Sequence, residues 1–158
     1  MTNKIKLIVY DFDGVMTDNK VYINQNGDEM VQVNRSDGLA VGEIKKMGID
    51  QIIISTEINT VVQSRANKLG IKCFNAIDDK KSVLIKYCQK NNINLNNVAF
   101  VGNDINDENA MIIAGIKICP ADAHDKIIII SDIVLKSKGG DGVIRELMDL
   151  ISKYNNGQ

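Results

Sequence analysis

The first residues of the sequence that could do chemistry are two carboxylates that lie close together. They belong to the segment Asp11-Phe12-Asp13-Gly14-Val15, in which the glycine allows a sharp backbone turn beside them. A carboxylate in a loop can attack phosphorus as a nucleophile, and a second one can carry a proton to or from the leaving group. Taken alone, the pair is equally well explained by aspartates that form a turn or cap a helix.

A second acidic segment spans residues 102–108 and contains Asn103, Asp104 and Asp107. Some of these side chains are expected to cap the helix that follows. Two acidic loops on one sheet would also supply the oxygen ligands that Mg²⁺ prefers, namely one or two carboxylates together with waters and substrate phosphate. The two segments together therefore predict a magnesium site.

Two further positions carry polar groups that suit a phosphate. Ser55 and Thr56 end an apolar run and could donate hydroxyl hydrogen bonds, and Lys80 opens a predicted helix. A lysine at a helix start is unfavourable against the helix dipole, so a functional use would explain it, although a solvated surface lysine is the commoner case. A nucleophile, a hydroxyl, an ammonium and carboxylates are the set needed for phosphoryl transfer through an aspartyl-phosphate.

The elements that must position these residues alternate along the chain. Short apolar runs typical of buried strands occupy 5–10, 51–55, 98–101, 116–119 and, as an edge strand, 132–135. Amphipathic patterns typical of helices occupy 39–47, 61–69, 83–88, 110–111 and 143–151. This alternation predicts a parallel sheet with helices on both faces, in which ligands bind beyond the carboxyl ends of the strands.

One segment breaks the alternation. Residues 20–24 and 29–34 alternate in polarity around an Asn26-Gly27 turn, which predicts a β-hairpin after the first strand. Later connections are short, so residues 1–154 are expected to form one domain, followed by a frayed tail over 155–158.

Composition narrows the class of protein. A net charge of −1 argues against a nucleic-acid partner, and the apolar runs are too short to span a membrane. The three cysteines, Cys73, Cys88 and Cys119, have no metal-ligand spacing and are interpreted as free thiols of a cytoplasmic protein. The only histidine, His124, is expected at a helix start, and a histidine-based acid–base pair is excluded.

Jointly, these motifs resemble those of the haloacid dehalogenase superfamily of phosphotransferases over essentially the whole chain. Asp11 and Asp13 match the first motif, Ser55 the second, Lys80 the third and residues 102–107 the fourth. The resemblance implies a Rossmann-like α/β fold, a Mg²⁺ cofactor and a hairpin in place of a cap domain. A receiver domain also uses aspartates and a lysine on a parallel sheet, but the Asp-x-Asp-Gly pattern and the hairpin fit that class poorly.

Three other segments narrow the resemblance to capless phosphatases that act on sugar-acid phosphates. They are 35–39, 120–124 and 138–146. This group includes 3-deoxy-manno-octulosonate 8-phosphate phosphatases, nonulosonate 9-phosphate phosphatases and phosphatase-like domains linked to acylneuraminate cytidylyltransferases. It implies a homotetramer in which hairpins and neighbouring subunits close the pocket, with the Gly139-Gly140 loop reaching a neighbouring site.

The residues assigned to substrate specificity are Arg35, Asp37, Glu57 and Lys68. Octulosonate enzymes usually have arginine at the position of Glu57, and glutamate there with Lys68 eleven residues later is similar to the nonulosonate branch. Arginine would pair with a substrate carboxylate, whereas glutamate accepts from hydroxyl or amino groups. A nonulosonate 9-phosphate is therefore the favoured substrate. The alternatives are octulosonate 8-phosphate and a weakly active or non-catalytic oligomerisation module.

The resemblance also implies a ligand set for the metal. Mg²⁺ is expected to bind the Asp11 carboxylate, the Asp13 carbonyl and either Asn103 or Asp104, with Asp107 orienting them. The family usually has aspartate where this chain has Asn103, so weaker metal binding is expected.

In the implied mechanism Asp11 attacks phosphorus and Asp13 moves the proton. Ser55, Thr56 and Lys80 hold the phosphoryl oxygens.

Overall fold

The computed structural model describes residues 4–155. Six parallel strands form one sheet in the order β5-β4-β1-β6-β7-β8. These strands are β1 (Leu7–Tyr10), β4 (Asp50–Ile54), β5 (Lys72–Phe74), β6 (Val98–Val101), β7 (Ile116–Cys119) and β8 (Ile133–Val134). The helices are α1 (Arg35–Lys46), α2 (Val61–Leu69), α3 (Lys80–Lys90), α4 (Glu108–Ile112), α5 (Asp125–Ile130) and α6 (Val143–Asn155).

The sheet separates two apolar cores, because side chains along each strand point alternately to its two faces. In β1, Ile8 and Tyr10 lie in the core covered by α1, α2 and α6. Leu7 and Val9 lie in the core covered by α3, α4 and α5. All four side chains are fully buried. The predicted parallel sheet with helices on both faces is thus confirmed.

The hairpin after β1 is present but shorter than the sequence pattern suggests. Its strands are β2 (Tyr22–Ile23) and β3 (Glu29–Met30), and one further antiparallel bridge joins Thr17 to Val33. The turn is held by Asn24, whose side-chain oxygen accepts hydrogen bonds from the backbone N–H groups of residues 26 and 28. Gly27 supplies the positive φ of +84° that the turn requires.

One strand has no counterpart in the sequence prediction, and one helix was predicted only by its start. β5 has three residues at the edge of the sheet, too few for a clear alternation of polarity. α5 contains the run of four isoleucines, which forms a helix despite its β-branched side chains. His124 lies at the start of this helix as expected, since its Nδ1 accepts a hydrogen bond from the Lys126 N–H.

α6 continues to Asn155, so the helix includes the first residue of the predicted tail, and 156–158 lie outside the described residues. Cys88 and Cys119 are buried and Cys73 is half-buried, all three as free thiols. Within residues 4–155, no helix has both the length and the apolar character needed to cross a membrane.

Candidate active site

The loop after β1 begins with a buried carboxylate at the centre of the sheet. The backbone N–H of Asp11 donates to the Val101 carbonyl at the end of β6, over 2.9 Å. Asp11 Oδ1 accepts hydrogen bonds from the Phe12 N–H at 2.8 Å and from Lys80 Nζ at 2.7 Å. The carboxylate is therefore fixed in position before any ligand arrives.

Lys80 is the first residue of α3, and only 2% of it is exposed. Its ammonium lies between two carboxylates, 2.7 Å from Asp11 Oδ1 and 2.7 Å from Asp107 Oδ1. Burial alone would lower the pKa of Lys80, but the two carboxylates outweigh it and raise that pKa above its ordinary value. Burial and the Asp107 charge raise the pKa of Asp11, and Lys80 opposes this rise.

Asp107 links Lys80 to the loop after β6. Its Oδ2 accepts from the backbone N–H groups of Asn103 at 2.9 Å and Asp104 at 3.3 Å. Gly102 has no room for a side chain, because an added Cβ would lie 2.7 Å from the Asp107 Cβ. Asp107 thus holds both the ammonium and the backbone of the loop.

Two polar groups, the Asn103 carboxamide and the Asp13 backbone carbonyl, lie together beside the Asp11 carboxylate. One terminal atom of the Asn103 carboxamide lies 2.9 Å from the Asp13 carbonyl oxygen and 3.0 Å from Asp11 Oδ2. The Asp104 side chain is used as a cap: its Oδ1 accepts from the Ile105 N–H at 2.7 Å at the start of the turn Ile105–Asp107. Of Asn103 and Asp104, Asn103 therefore has the contact with the Asp11 carboxylate that the structure shows directly.

This set of donors fits a hard cation. Residues 4–155 contain no group of three or more His, Cys, Asp or Glu side chains that could hold a metal. The convergent set consists instead of one carboxylate, one backbone carbonyl and one carboxamide. Oxygen donors with few carboxylates match Mg²⁺, which usually keeps several waters.

The cavity above these groups has a volume of about 340 Å³. The residues that line it come from the loops after β1, β4 and β6. They are Asp11, Asp13, Asn19, Ser55, Thr56, Asn103, Asp104, Ile105 and Asn106. Of the predicted site residues, this brings together the two aspartates of the first motif, both hydroxyls and both metal candidates. Lys80 and Asp107 lie beneath them.

Asp13 is more exposed than Asp11, and its side chain is held by a hydrogen bond of 3.3 Å from Thr17 Oγ1. Burial and then the charge of Glu57 raise the pKa of Asp13, in spite of the Thr17 hydrogen bond. A carboxyl with a raised pKa retains a proton more readily, as a general acid must.

Asn19, Ile105 and Asn106 also line the cavity, although no sequence pattern marks them as site residues. Asn106 Nδ2 donates to Thr56 Oγ1 at 3.4 Å and so bridges the loops after β6 and β4. Asn19 has a φ of +67°, a left-handed conformation that asparagine tolerates better than most residues. The only sequence feature that could have indicated Asn19 is that an asparagine follows the carboxylate pair Asp11 and Asp13 by a few residues.

Two of the residues assigned to substrate specificity lie away from the cavity. Arg35 is exposed at the start of α1 and is not among the lining residues. Lys68 is exposed in the last turn of α2. At 1.5 Å rise per residue, it lies about 10 Å along the axis from the start of that helix. Neither placement supports a contact with substrate inside this chain.

Asp37 is buried in the core between α1 and α6. Its Oδ1 accepts from the backbone N–H groups of Ile144 and Arg145, both at 3.1 Å, and so caps the start of α6. Burial raises the pKa of Asp37, and these two hydrogen bonds oppose the rise. The prediction that Asp37 selects the substrate has no support from this structural position.

Glu57 is the specificity candidate nearest to the chemistry. Its Oε1 accepts from the Asn59 N–H at 2.8 Å, and its charge acts on Asp13. Asn59 Nδ2 in turn lies 3.5 Å from Glu29 Oε2 of the hairpin. Glu57 therefore lies where the loop after β4 meets the hairpin, beside the cavity.

A glycine loop braces the segment that carries Asp13. Gly140 N–H donates to the Val15 carbonyl at 3.0 Å, and Gly139 N–H donates to Asp122 Oδ1 at 2.9 Å. A Cβ on Gly139 would lie 2.2 Å from the Gly14 carbonyl oxygen, so no other residue fits there unchanged. The loop packs on the Asp13 segment of its own chain.

A buried carboxylate paired with a lysine at the carboxyl edge of a parallel α/β sheet, with a second carboxyl beside it, suits an enzyme that transfers phosphoryl groups through an aspartate. The model of the haloacid dehalogenase-like hydrolase family matches residues 3–147. The chain belongs to this family, and the resemblance drawn from its motifs is confirmed.

Relatives and solved structures agree with this assignment. The 3-deoxy-D-manno-octulosonate 8-phosphate phosphatase of Yersinia pestis is 32% identical over 148 residues, which cover 93% of this chain and 79% of that protein. The Moraxella catarrhalis phosphatase of the same name, solved with magnesium, phosphate and KDO, has a TM-score of 0.93 and 32% identity, over 99% of this chain and 90% of that one. A HAD family hydrolase structure from Streptomyces avermitilis has a TM-score of 0.91 and 38% identity, covering 99% and 88%.

Proposed function

We propose that the chain is a Mg²⁺-dependent phosphomonoesterase that removes the terminal phosphate of a 2-keto-3-deoxy sugar acid through an aspartyl-phosphate. The observation that carries the proposal is the Asp11 carboxylate, fixed by Lys80 at the base of a cavity in which Asp13 stands as a partly exposed carboxyl. The family and the phosphatase relatives support the same chemistry.

Asp11, Asn103 and the Asp13 carbonyl are the groups that would hold Mg²⁺, because the Asn103 carboxamide lies within 3.0 Å of both the Asp13 carbonyl oxygen and Asp11 Oδ2. When bound, the ion offsets the negative charge shared by phosphate and carboxylate and orients the phosphate.

The residues of the chain divide the remaining work. Asp11 attacks phosphorus, the bond from phosphorus to the sugar oxygen breaks, and Asp13 gives its proton to that oxygen. Ser55 and Thr56 donate to phosphoryl oxygens from the wall of the cavity, and Lys80 supplies positive charge from below. Asp13 then takes a proton from the water that hydrolyses the aspartyl-phosphate, which restores both carboxyl groups.

The favoured substrate is a nonulosonate 9-phosphate. Its support is Glu57, a hydrogen-bond acceptor beside Asp13 at a position where octulosonate enzymes usually have arginine. An acceptor there favours a hydroxyl or amino group of the substrate over a carboxylate. Lys68, the other residue behind this preference, lends no support from its place at the far end of α2.

Octulosonate 8-phosphate is the second candidate. It is favoured by the relatives, since the phosphatases that are 32% identical to this chain carry that substrate in their name.

A homotetramer is proposed for the assembly. The hairpin leaves a group of apolar side chains exposed on its surface. They are Val21, Tyr22, Ile23 and Met30. Contact with neighbouring copies would bury them and close the cavity. If the chain is instead a non-catalytic oligomerisation module, assembly through this surface would be its whole function.

Phosphate release from both sugar acids tests the proposal. The wild-type chain is compared with Asp11→Asn, with Mg²⁺ and with EDTA, on nonulosonate 9-phosphate and octulosonate 8-phosphate. We expect Mg²⁺-dependent release that Asp11→Asn abolishes, and a higher kcat/KM on the nonulosonate. A higher kcat/KM on the octulosonate would reverse the substrate preference. No release from either compound, in a folded tetramer, would favour the non-catalytic module.

A further inference from the structure

The Asn103 carboxamide faces two groups that can only accept hydrogen bonds. Its inward terminal atom lies 2.9 Å from the Asp13 carbonyl oxygen and 3.0 Å from Asp11 Oδ2. A backbone carbonyl and an ionised carboxylate carry no proton to donate. The identity of the inward atom therefore decides whether the contact is attractive or repulsive.

With the nitrogen inward, Asn103 donates one hydrogen bond to Asp13 and one to Asp11, and the site is satisfied without a cation. With the oxygen inward, three oxygen atoms face each other at about hydrogen-bond distance with no hydrogen between them. That second arrangement is stable only when a cation lies among the oxygens, which are donors of the kind that Mg²⁺ takes.

We propose that the Asn103 carboxamide flips, by rotation of about 180° about its last side-chain bond, when Mg²⁺ binds. Its nitrogen points to Asp11 and Asp13 in the metal-free protein, and its oxygen points to them in the metal-bound protein. This inference rests on the magnesium dependence of the proposed function. It means that the ion must displace two internal hydrogen bonds, which lowers its affinity, while the same hydrogen bonds hold the empty site together.

The surroundings restrict the motion to the carboxamide itself. The Asn103 N–H donates to Asp107 Oδ2 at 2.9 Å, and its carbonyl accepts from the His124 N–H at 2.8 Å, so the backbone is held on both sides. Rotation about the last side-chain bond exchanges the oxygen and nitrogen at nearly equal positions. The outward atom lies against Gly14, where an added Cβ would be only 1.9 Å away, so the glycine provides the space.

Two variants separate this mechanism from a fixed asparagine ligand. Asn103→Asp keeps the shape but sets a second carboxylate against Asp11 in the empty site. Asn103→Ala removes both the donor and the ligand. We expect Asn103→Asp to bind Mg²⁺ roughly tenfold more tightly than wild type, because ligand charge raises affinity for the ion, and Asn103→Ala to bind it more weakly. Isothermal titration calorimetry with MgCl₂ measures the affinity of both variants and of wild type.

The melting temperatures of the metal-free proteins should follow a different order from their Mg²⁺ affinities. In EDTA, we expect wild type to melt at the highest temperature, Asn103→Ala lower because two hydrogen bonds are lost, and Asn103→Asp lowest because of repulsion. A fixed oxygen-inward asparagine predicts the contrary, since removing it would relieve crowding. Thermal unfolding therefore distinguishes the two accounts without any assay of activity.

The flip of the carboxamide can be observed by NMR on the full chain labelled with ¹⁵N at asparagine. The Asn103 side-chain NH₂ signal is identified by its loss in Asn103→Ala and Asn103→Asp. We expect its protons to exchange slowly with water in EDTA and to lose this protection as MgCl₂ is added. The titration is repeated with CaCl₂ to follow the dependence on the ion.

Three results would overturn the proposal. If Mg²⁺ binds and phosphate is released but the Asn103 NH₂ signal does not change, the proposed carboxamide flip is wrong and the phosphatase function stands. The same holds if metal-free Asn103→Ala melts no lower than wild type. If neither wild type nor Asn103→Asp binds Mg²⁺, the metal site fails together with this inference.

Discussion

The base of the cavity and the hairpin beside it are built in opposite ways. At the base, Asp11, Lys80 and Asp107 are buried and joined by two charged hydrogen bonds of 2.7 Å. The hairpin has strands of only two residues each, and Tyr22 and Ile23 are 73% and 65% exposed. The first region is thus buried within the chain, whereas the second is largely exposed.

This difference indicates which part of the function each region serves. Buried charges that are paired on both sides keep a fixed geometry, which suits a nucleophile that must meet phosphorus in line. A two-stranded hairpin is only marginally stable alone in water, which suits a part that is completed by other contacts. In the proposed function, the chemistry therefore belongs to the single chain, and the proposed tetramer covers the substrate.

The largest effect is expected at Asp11. Asp11→Asn removes the proposed nucleophile but keeps the shape and the contact with Lys80, so phosphate release should fall by at least about a thousandfold. Steady-state kinetics on the sugar-acid phosphates measures the loss. The melting temperature of the variant serves as the control for folding. Activity within tenfold of wild type would assign the chemistry to another residue.

Lys80→Met should affect both activity and stability. It leaves Asp11 and Asp107 buried without a counter-charge, which costs about 3–5 kcal/mol of unfolding free energy for a buried pair. Urea denaturation measures this cost. Lys81→Met is the matched control, because Lys81 is exposed in the same turn and should change stability by less than about 0.5 kcal/mol. Equal behaviour of the two variants would contradict the buried network.

Gly139→Ala tests whether the glycine loop holds the Asp13 segment in place. The added Cβ would lie 2.2 Å from the Gly14 carbonyl oxygen, so the segment must shift. A displacement near 1 Å can cost about a hundredfold in rate, and we expect kcat to fall more than KM rises. Gly42→Ala is the control, since a Cβ there meets nothing within 4 Å. An unchanged kcat for Gly139→Ala would show that the glycine loop does not hold the Asp13 segment in place.

The smallest effect on a single chain is expected in the hairpin. Replacing Tyr22 and Ile23 by serine should lower the molar mass in light scattering from a tetramer toward a monomer, because the exposed apolar contact is lost. The matched control is Ile129→Ser, which is also exposed but lies on α5. If the hairpin variant keeps the mass of wild type, the hairpin is not the assembly surface.

The site was predictable where local sequence decides position. Asp11, Ser55 and Asn103 each follow a buried apolar strand closely, and the strand order β4-β1-β6 brings the three loops side by side. The spacing of residues was enough here, because parallel strands all end at the same edge.

Residues whose role depends on distant neighbours were not predictable. Asp37 caps α6 across 107 residues of sequence, which no local pattern reveals. Lys68 follows Glu57 by eleven positions, but the axis of α2 carries it away from the cavity. The use of Asp104 as a cap is likewise visible only in the folded backbone, through the hydrogen bond from Ile105 and the capping box with Asp107.

Borohydride trapping tests the central claim most directly. The full chain is mixed with Mg²⁺ and a sugar-acid phosphate, quenched with borohydride during turnover and digested for peptide mass spectrometry. An aspartyl-phosphate is reduced to homoserine, so the account predicts homoserine at position 11, dependent on both substrate and Mg²⁺. Homoserine at position 13, or rapid phosphate release with no reduced aspartate, would contradict Asp11 as the nucleophile.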